Sequence, residues 1–190
     1  MTLREIYRKL REVESILGVE AAALAYDAAW FAETAHKGQT RNGGKPYVTH
    51  VWRVMIAAID DFMREQTLSP EFVIAASLHD VVEDCGVSLE ELEERFGPEV
   101  ARIVRHVTHH YEEEPEEEYL ALVSAGGLKA IRLKRLDKLD NLRDLANADP
   151  AFREKKLAEL PIFLVLWRGI DPEGAEILKD MVAKIGNEVL

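Results

Sequence analysis

The chain has 190 residues, of which 47% are hydrophobic and 31% charged, and this composition is typical of one folded domain and argues against an intrinsically disordered protein. Its net charge of −11 disfavours nonspecific binding to nucleic acid or anionic lipid, although a local group of lysines and arginines can still bind a small phosphorylated ligand. The single cysteine, Cys85, excludes an intramolecular disulfide.

The sequence also lacks the patterns that direct a chain to a membrane. No apolar run approaches the roughly 20 residues that a membrane-spanning helix needs. The N-terminus, MTLREIYRKL, has no continuous apolar segment of the kind found in secretory signals. We therefore expect a cytoplasmic protein whose partners include neither a membrane nor nucleic acid.

Helical periodicity runs through nearly the whole chain and predicts an all-α fold. The first helix follows a capping box formed by Thr2 and Glu5, and Gly18 ends it. A second, alanine-rich helix is predicted over about residues 20–36. The segment GQTRNGGKP, residues 38–46, is the clearest loop in the protein, because glycine, asparagine and proline interrupt regular structure.

The central part of the chain predicts two further helices. One begins near Tyr47. The next begins at residues 69–71, where serine is suited to the N-cap, proline to the first helical position and glutamate to the first turn. We expect the segment SLHDVVEDC, residues 77–85, to lie in the last turns of this helix.

The remaining helices are separated by similar signals. Residues 88–91 form a second capping box, and the glycine–proline pair at 97–98 divides two helices. The acidic run EEEPEEE, residues 112–118, is interpreted as a solvated loop and helix start. Leucines recur about every third residue over 128–145, which predicts a largely buried helix, and two amphipathic stretches meet near residues 169–171.

Polar residues that could bind a cation occur within these apolar helices. A lone histidine such as His50 is more often hydrogen-bonded in a core than bound to metal, and Asp137 could be a surface acid paired with a lysine. The pair His79-Asp80 is harder to explain in this way, because a buried, uncompensated carboxylate costs several kcal/mol. A divalent cation removes this cost. The candidate ligands are His50, His79, Asp80 and Asp137.

Helical spacing groups these residues with further polar side chains. Three pairs are spaced four residues apart and would share a helix face: His79 with Glu83, Asp80 with Asp84, and Asp137 with Asn141. The patterns of zinc proteases, calcium loops, serine hydrolases, Walker loops and dinucleotide-binding folds do not occur.

Three runs occur in order and carry a family resemblance: AHKGQTRNGGKPYVTH, LHDVVEDCGVSLEELEERFGPEVARIVRHVT and KRLDKLDNLRDL. They resemble the hydrolase domain of RelA/SpoT-type enzymes, within the HD superfamily of metal phosphohydrolases, and above all its small, single-domain alarmone hydrolases. The resemblance covers about residues 21–145 and implies an HD-domain helical bundle. Residues 1–20 and 146–190 are then flanking helices of a single domain spanning 1–190.

The resemblance implies a metal-dependent reaction. In the family one Mn²⁺ is bound at the positions of His50, His79, Asp80 and Asp137, although ligand type alone leaves zinc and iron open. Glu83 and Asp84 match the family's catalytic pair. Glu83 is the hypothesised general base, because it follows the ligand His79 by one helical turn.

The resemblance also implies the substrate. The family hydrolyses guanosine tetra- or pentaphosphate (ppGpp or pppGpp) at the 3′-pyrophosphate, giving GDP or GTP and pyrophosphate. Arg41 matches a loop arginine that packs on the guanine, and Asn141 matches an asparagine near the ribose and phosphate. Further candidates for phosphate or sugar contacts are Lys45, Tyr47, Lys134 and Lys138, although a flexible surface position is the commoner state of a lysine.

Several departures from the family pattern leave alternatives open. Asn42 replaces a basic residue of the usual loop, Lys45 replaces an acidic one, and Val51 stands where proline is usual. One alternative is an HD phosphohydrolase acting on a different nucleotide, and another is a nucleotide-binding protein whose catalytic centre is vestigial. The chain has no room for a synthetase domain, so we expect it to degrade alarmone and not to make it. Its oligomeric state is left open.

Overall fold

The computed structural model describes residues 1–41, 44–64, 68–109, 115–145, 153, 157, 160, 163 and 168–187. These residues form an all-α protein, as predicted. Within the described residues, β structure is limited to one isolated bridge between Thr40 and Pro46. The helices are α1 (Leu3–Leu17), α2 (Val19–Ala35), α3 (Val48–Arg64), α4 (Pro70–Leu78), α5 (Val81–Cys85), α6 (Leu89–Phe96), α7 (Pro98–Val107), α8 (Glu116–Ala125), α9 (Gly127–Leu145) and α10 (Pro172–Asn187).

Helix α4 is the centre of the larger hydrophobic core. Its residues from Phe72 to Leu78 are all buried, and the helix packs against α2, α3 and α7. The buried face of α2 is made of alanines, whose small side chains let its backbone lie close to α4: Ala22, Ala25, Ala28, Ala29 and Ala32. The C-terminal end of α4 therefore delivers the residues that follow it into the protein interior.

Helix α9 is shared between two hydrophobic clusters. Ala130, Leu133 and Leu136 belong to the larger core, while other residues of α9 join a second cluster with α8 and α10. The described members of this second cluster are Tyr119, Leu120, Val123, Ile131, Leu142, Leu145, Leu160, Phe163 and Ala175. A helix covered on several sides buries its polar residues as well as its leucines.

Most of the predicted helix boundaries are confirmed. The Thr2 backbone N–H donates to Glu5 Oε2 at 2.6 Å, α4 begins at Pro70, and α7 begins at Pro98. The Ser88 hydroxyl oxygen accepts a hydrogen bond from the Glu91 backbone N–H at 3.1 Å. Helix α8 begins within the acidic run, whose residues 112–114 lie outside the described part of the chain.

The prediction that residues 77–85 lie in one helix is wrong. Helix α4 ends at Leu78, and His79 and Asp80 separate it from α5. The His79 ring competes for a backbone acceptor, because its Nδ1 donates to the Ala76 carbonyl at 2.9 Å. Asp80 adopts φ −106°, ψ −3°, and its own carbonyl accepts the first bond of the new helix, from the Asp84 N–H at 2.8 Å. Residues spaced four apart across this junction therefore do not share one continuous helix face.

Two glycine-containing turns border helices α5 and α10. Gly86 adopts φ +69°, a left-handed conformation that few other residues tolerate, and it ends α5. Gly169 and Ile170 form the turn before α10, in the region where two amphipathic stretches were predicted to meet. Among the described residues, no helix is both long enough and apolar enough to cross a lipid bilayer.

Candidate metal centre

Three separate segments bring the candidate ligands into one place. His50 lies in the first turn of α3, His79 and Asp80 form the junction between α4 and α5, and Asp137 lies in the middle of α9. Helix α3 packs against both α4 and α9, and α4 also contacts α9. All four side chains are buried, with His50 1% and Asp80 7% exposed at the two extremes.

The ligand atoms of these residues face one another. The Nε2 atoms of His50 and His79 are 3.3 Å apart. Asp80 Oδ2 lies 3.4 Å from His50 Nε2 and 3.1 Å from His79 Nε2. The potential ligand atoms of these three residues all lie within 4.8 Å of one another. Asp137 Oδ1 is 3.3 Å from His50 Nε2 and 4.0 Å from His79 Nε2, so Asp137 lies at the edge of the cluster.

This spacing fits a single divalent cation. Ligand atoms that bind one small cation at about 2.0–2.2 Å lie about 3.0–3.5 Å from their neighbours in tetrahedral or octahedral geometry. The distances around His50 Nε2 fall in this range. Two imidazoles with two carboxylates and no thiolate are a donor set for a borderline or hard divalent ion. These residues could therefore hold such an ion.

The second nitrogen of each imidazole already has a partner. Nδ1 of His79 donates to the Ala76 carbonyl, and Nδ1 of His50 donates to Asp140 Oδ2 at 2.7 Å. Both acceptors fix the tautomer in which Nδ1 carries the proton. The Nε2 atoms are thereby left facing the cluster, which is the arrangement that metal-binding histidines adopt.

The electrostatics of the cluster are those of opposite charges held together in the interior. Burial lowers the pKa of His50, but hydrogen bonds to Asp137, Asp140 and Asp80 outweigh burial and raise it to about 10. Burial likewise disfavours a charged His79, and the Asp80 carboxylate raises the pKa of His79 above its usual value. Burial raises the pKa of Asp80, but charged His79 and the hydrogen bond from His50 bring it well below its usual value. The carboxylates therefore favour protonation of the imidazoles, and a bound cation would take the place of those protons.

Lys134 is a buried part of this cluster, contrary to the surface position expected for it. Its Nζ lies 2.9 Å from Asp137 Oδ2 and 5.3 Å from the centre of the Tyr119 ring, and the residue is 5% exposed. Burial raises the pKa of Asp137, but the Lys134 ammonium and the hydrogen bond from His50 reverse the shift and lower it. The lysine is buried because this face of α9 is covered by α8.

The two predicted catalytic carboxylates differ in environment. Glu83 is partly buried, and its Oε2 accepts a hydrogen bond from the His109 backbone N–H at 3.0 Å. Burial raises the pKa of Glu83, although Lys134 partly offsets this effect. Asp84 is exposed, and its backbone carbonyl accepts a hydrogen bond from the Gln39 side chain at 2.9 Å. Glu83 is thus a carboxylate whose burial favours its protonated form.

The predicted nucleotide-binding residues Arg41 and Asn141 are in contact. The Arg41 guanidinium donates to Asn141 Oδ1, lies 3.3 Å from Asp144 Oδ2, and is 5.5 Å from the centre of the Tyr47 ring. Asn141 Nδ2 in turn donates to Asp137 Oδ1 at 2.6 Å. The loop and α9 therefore meet beside the candidate ligands.

The other predicted substrate contacts have different surroundings. The Tyr47 hydroxyl donates to Asp80 Oδ2 at 2.7 Å, and its ring stacks on His36 with centroids 4.8 Å apart. Lys45 is exposed on the loop. Lys138 Nζ lies 4.5 Å from the centre of the Phe163 ring, in the second hydrophobic cluster. Tyr47 therefore supports a candidate metal ligand directly, whereas Lys45 lies on the protein surface.

Sequence reasoning did not single out Asp140 and Arg53. Asp140 is 3% exposed and bridges the His50 ring to Arg53, whose Nε and Nη2 each donate to it at 2.7 Å. Their spacing in the sequence could have indicated them, because each follows a candidate ligand by three positions: Arg53 follows His50, and Asp140 follows Asp137. Residues three apart lie on the same helix face.

Comparisons with known proteins match most of the chain to a family. The family model described as the HD domain matches residues 28–164. A guanosine-3′,5′-bis(diphosphate) 3′-pyrophosphohydrolase of Aquifex aeolicus is 38% identical over 132 residues, which is 66% of this chain and 18% of that protein. The bifunctional (p)ppGpp synthase/hydrolase SpoT of Escherichia coli is 31% identical over 84% of this chain and 23% of its own length. The chain thus spans about a fifth of these two relatives.

A shorter relative and a solved structure match more of their own length. The guanosine-3′,5′-bis(diphosphate) 3′-pyrophosphohydrolase MESH1 of Drosophila melanogaster is 38% identical over 60% of this chain and 65% of that protein. A solved structure described as a metazoan ortholog of SpoT that hydrolyzes ppGpp superposes with a TM-score of 0.74 at 28% identity, covering 86% of this chain and 96% of that one. The HD domain implies a divalent metal, which the cluster of His50, His79 and Asp80 could hold. The chain belongs to the HD domain family.

Proposed function

We propose that this protein hydrolyses the 3′-pyrophosphate of ppGpp and pppGpp, giving GDP or GTP and pyrophosphate, with Mn²⁺ as its metal. The observation that carries the proposal is the convergence of four buried side chains in an HD domain: His50, His79, Asp80 and Asp137. The relatives named for this activity in Aquifex aeolicus and Drosophila melanogaster support the choice of substrate.

The metal would be held by the four convergent residues, with Asp137 contributing from the edge. A divalent cation in such a site supplies a Lewis acid for a phosphoryl oxygen and makes water acidic enough to react near neutral pH. Tyr47 supports this role, because its hydroxyl donates to the same Asp80 oxygen that faces both imidazoles and so holds the carboxylate in place. The mixed imidazole and carboxylate donors suit manganese, zinc and iron alike, so the choice of manganese rests on the resemblance to RelA/SpoT-type enzymes.

Glu83 is proposed as the general base. A base works best when its pKa lies near the working pH, and burial raises the pKa of Glu83 in this direction. The hydrogen bond from the His109 backbone holds one carboxylate oxygen in place, and the other oxygen is proposed to take the proton of a water molecule. Asp84, at the exposed end of α5, is proposed to orient that water.

The nucleotide is proposed to bind between the loop and α9. The planar guanidinium of Arg41 already lies against the Tyr47 ring, and the same planar group can stack on guanine. Asn141 connects Arg41 to the metal centre, which suits a contact to the ribose or phosphate. Lys45 and Lys138 are proposed as outer contacts to the phosphates.

A second candidate function is hydrolysis of a different nucleotide by the same centre. The exposed Lys45 favours it, because a basic side chain on the recognition loop stands where the resembled family has an acidic one. A third, of another class, is binding of nucleotide without turnover. The three candidate functions predict different results in one assay.

The test is a nucleotide panel with purified protein and Mn²⁺, comparing ppGpp and pppGpp with GTP, dGTP and GDP. We expect pyrophosphate and GDP from ppGpp, and no turnover by the matched variant Asp80→Asn, which keeps size and removes charge. Orthophosphate or pyrophosphate from other nucleotides alone would favour the second function. Tight binding of ppGpp without any turnover in the presence of Mn²⁺ would favour the third.

A further inference from the structure

Asp140 of α9 lies between a candidate metal ligand, His50, and the cation Arg53, which follows His50 on the same face of α3. Its Oδ2 accepts from His50 Nδ1 at 2.7 Å, while Arg53 donates through Nε to Oδ1 and through Nη2 to Oδ2, each at 2.7 Å. Bidentate pairing of this kind fixes the plane of a carboxylate as well as its position. Asp140 is 3% exposed, so little water competes for these bonds.

The two histidines of the centre obtain their orientation in different ways. His79 follows α4 and uses a backbone carbonyl of that helix, that of Ala76. His50 lies in the first turn of α3, where the nearby Pro46 carbonyl already accepts from both the N–H and the hydroxyl of Thr49. The ring of His50 is therefore oriented by a side chain from another helix, namely Asp140 of α9.

We propose that Asp140, held by Arg53, is a positioning residue of the metal centre. An ionised carboxylate can only accept, so it keeps the proton on Nδ1 of His50 and leaves the Nε2 lone pair directed at the cation. This inference rests on the proposed function, because it assumes that the cluster binds a metal. Asp140 thereby has two roles: it links α3 to α9, and it increases the affinity of the centre for metal.

A matched control is available on the same two helices. Asp61 of α3 is 4% exposed and pairs with Arg135 of α9, so it forms a buried bridge between α3 and α9 without touching the candidate ligands. Replacing it removes an interhelical ion pair of the same kind. A purely structural role of Asp140 predicts equal effects at both positions, whereas a positioning role does not.

The experiment measures Mn²⁺ binding by the full chain, using the electron paramagnetic resonance signal of free Mn²⁺. We expect Asp140→Asn to weaken Mn²⁺ affinity about 10–100-fold, the range found when a group that orients a metal ligand is removed. Arg53→Gln, at a partly exposed position, should weaken it in the same direction by a smaller factor. Asp61→Asn should lower the unfolding temperature and leave Mn²⁺ affinity unchanged.

The outcomes separate this inference from the proposed function. Wild-type binding with unchanged affinity in Asp140→Asn would overturn the positioning role and leave the metal centre standing. Equal weakening in Asp140→Asn and Asp61→Asn would also overturn it, because both bridges would then act only through the fold. Failure of the wild type to bind Mn²⁺ would overturn the proposed function, and the positioning role with it.

Discussion

His50 illustrates how individual residues of the candidate centre depend on one another. Its imidazole is buried beside three carboxylates, and their hydrogen bonds outweigh the effect of burial on its charge. Removing any one of these side chains would leave its former partners buried and uncompensated. The resulting loss of stability is larger than the net stabilisation that the intact interaction provides. The polar residues of this centre are therefore expected to tolerate conservative substitution poorly.

The sequence singled out four candidate ligands, which the structure brings together, but it did not single out their supporting residue Asp140 or the burial of Lys134. His79 and Asp80 stand in an apolar segment, where a charged pair needs a reason to be buried. Asp140 and Lys134 stand in a segment rich in charged residues, where a surface position is the ordinary expectation. Their burial depends on how α9 meets α3 and α8, which no local pattern specifies.

Replacing Glu83 with glutamine tests the proposed general base. The amide keeps the size of the side chain and its acceptor oxygen for the His109 N–H, but it cannot take a proton. We expect ppGpp turnover to fall by about 100-fold or more, the usual contribution of a general base, while Mn²⁺ affinity stays near the wild-type value. Steady-state kinetics and a Mn²⁺ titration measure both quantities. The exposed Glu90 gives a control, Glu90→Gln, and an active Glu83→Gln enzyme would remove the assignment.

The reactivity of Cys85 tests the environment beside the site. Burial raises the pKa of this thiol to about 11, and the neighbouring carboxylates of Asp84 and Asp80 add to the shift. The thiolate is the reactive form, so alkylation by iodoacetamide should be slow at pH 8 and rise steeply only towards pH 11. The urea-unfolded chain should react with the pH dependence of a free thiol, near pH 8.5. A native midpoint at that lower pH would contradict the described burial.

Among the helices, the junction between α4 and α5 decides the geometry of the centre. A continuous helix would have placed His79 and Asp80 on different faces, about 100° apart around the axis. The break directs both side chains towards His50 instead. Helix starts were predictable from Pro70, Ser88 and Pro98, because these residues act through local backbone chemistry. The break was not, since the apolar pattern continues across it.

Gly126 tests the close packing where α7, α8 and α9 meet. A Cβ at this position would lie 2.5 Å from Ala130 Cβ and 2.7 Å from His106 Cβ, both well inside contact distance. We expect Gly126→Ala to lower the free energy of unfolding by about 1–3 kcal/mol, a typical cost of overpacking. Urea denaturation measures the change. In Gly169→Ala the added Cβ meets no described atom within 4 Å, so a similar loss there would show that the effect is not steric.

At the scale of the whole molecule, the candidate ligands connect segments that are distant in sequence. His50, the His79-Asp80 pair and Asp137 belong to α3, the junction after α4, and α9, so a bound cation would tie these elements together. The periodicity of the sequence predicted that the protein is all-α. It could not predict which helices pack together, because a hydrophobic stripe specifies a buried face and not the partner of that face.

This arrangement predicts that the metal stabilises the fold. A ligand that binds only the native state adds about 2.7 kcal/mol at a concentration of 100 times its Kd. We expect Mn²⁺ to raise the unfolding temperature of the wild type, and excess chelator to reverse the increase. With a net charge of −11 the surface can also attract cations nonspecifically. His79→Ala separates the two effects, because an equal temperature increase in this variant would show that surface binding is responsible.

Diffraction from crystals grown with Mn²⁺, recorded at the manganese absorption edge, tests the central claim most directly. We predict one strong anomalous peak per chain, bounded by His50 Nε2, His79 Nε2 and carboxylate oxygens of Asp80 and Asp137. The absence of a peak there, or a peak whose ligands exclude the His79-Asp80 pair, would contradict a metal centre built from these helices.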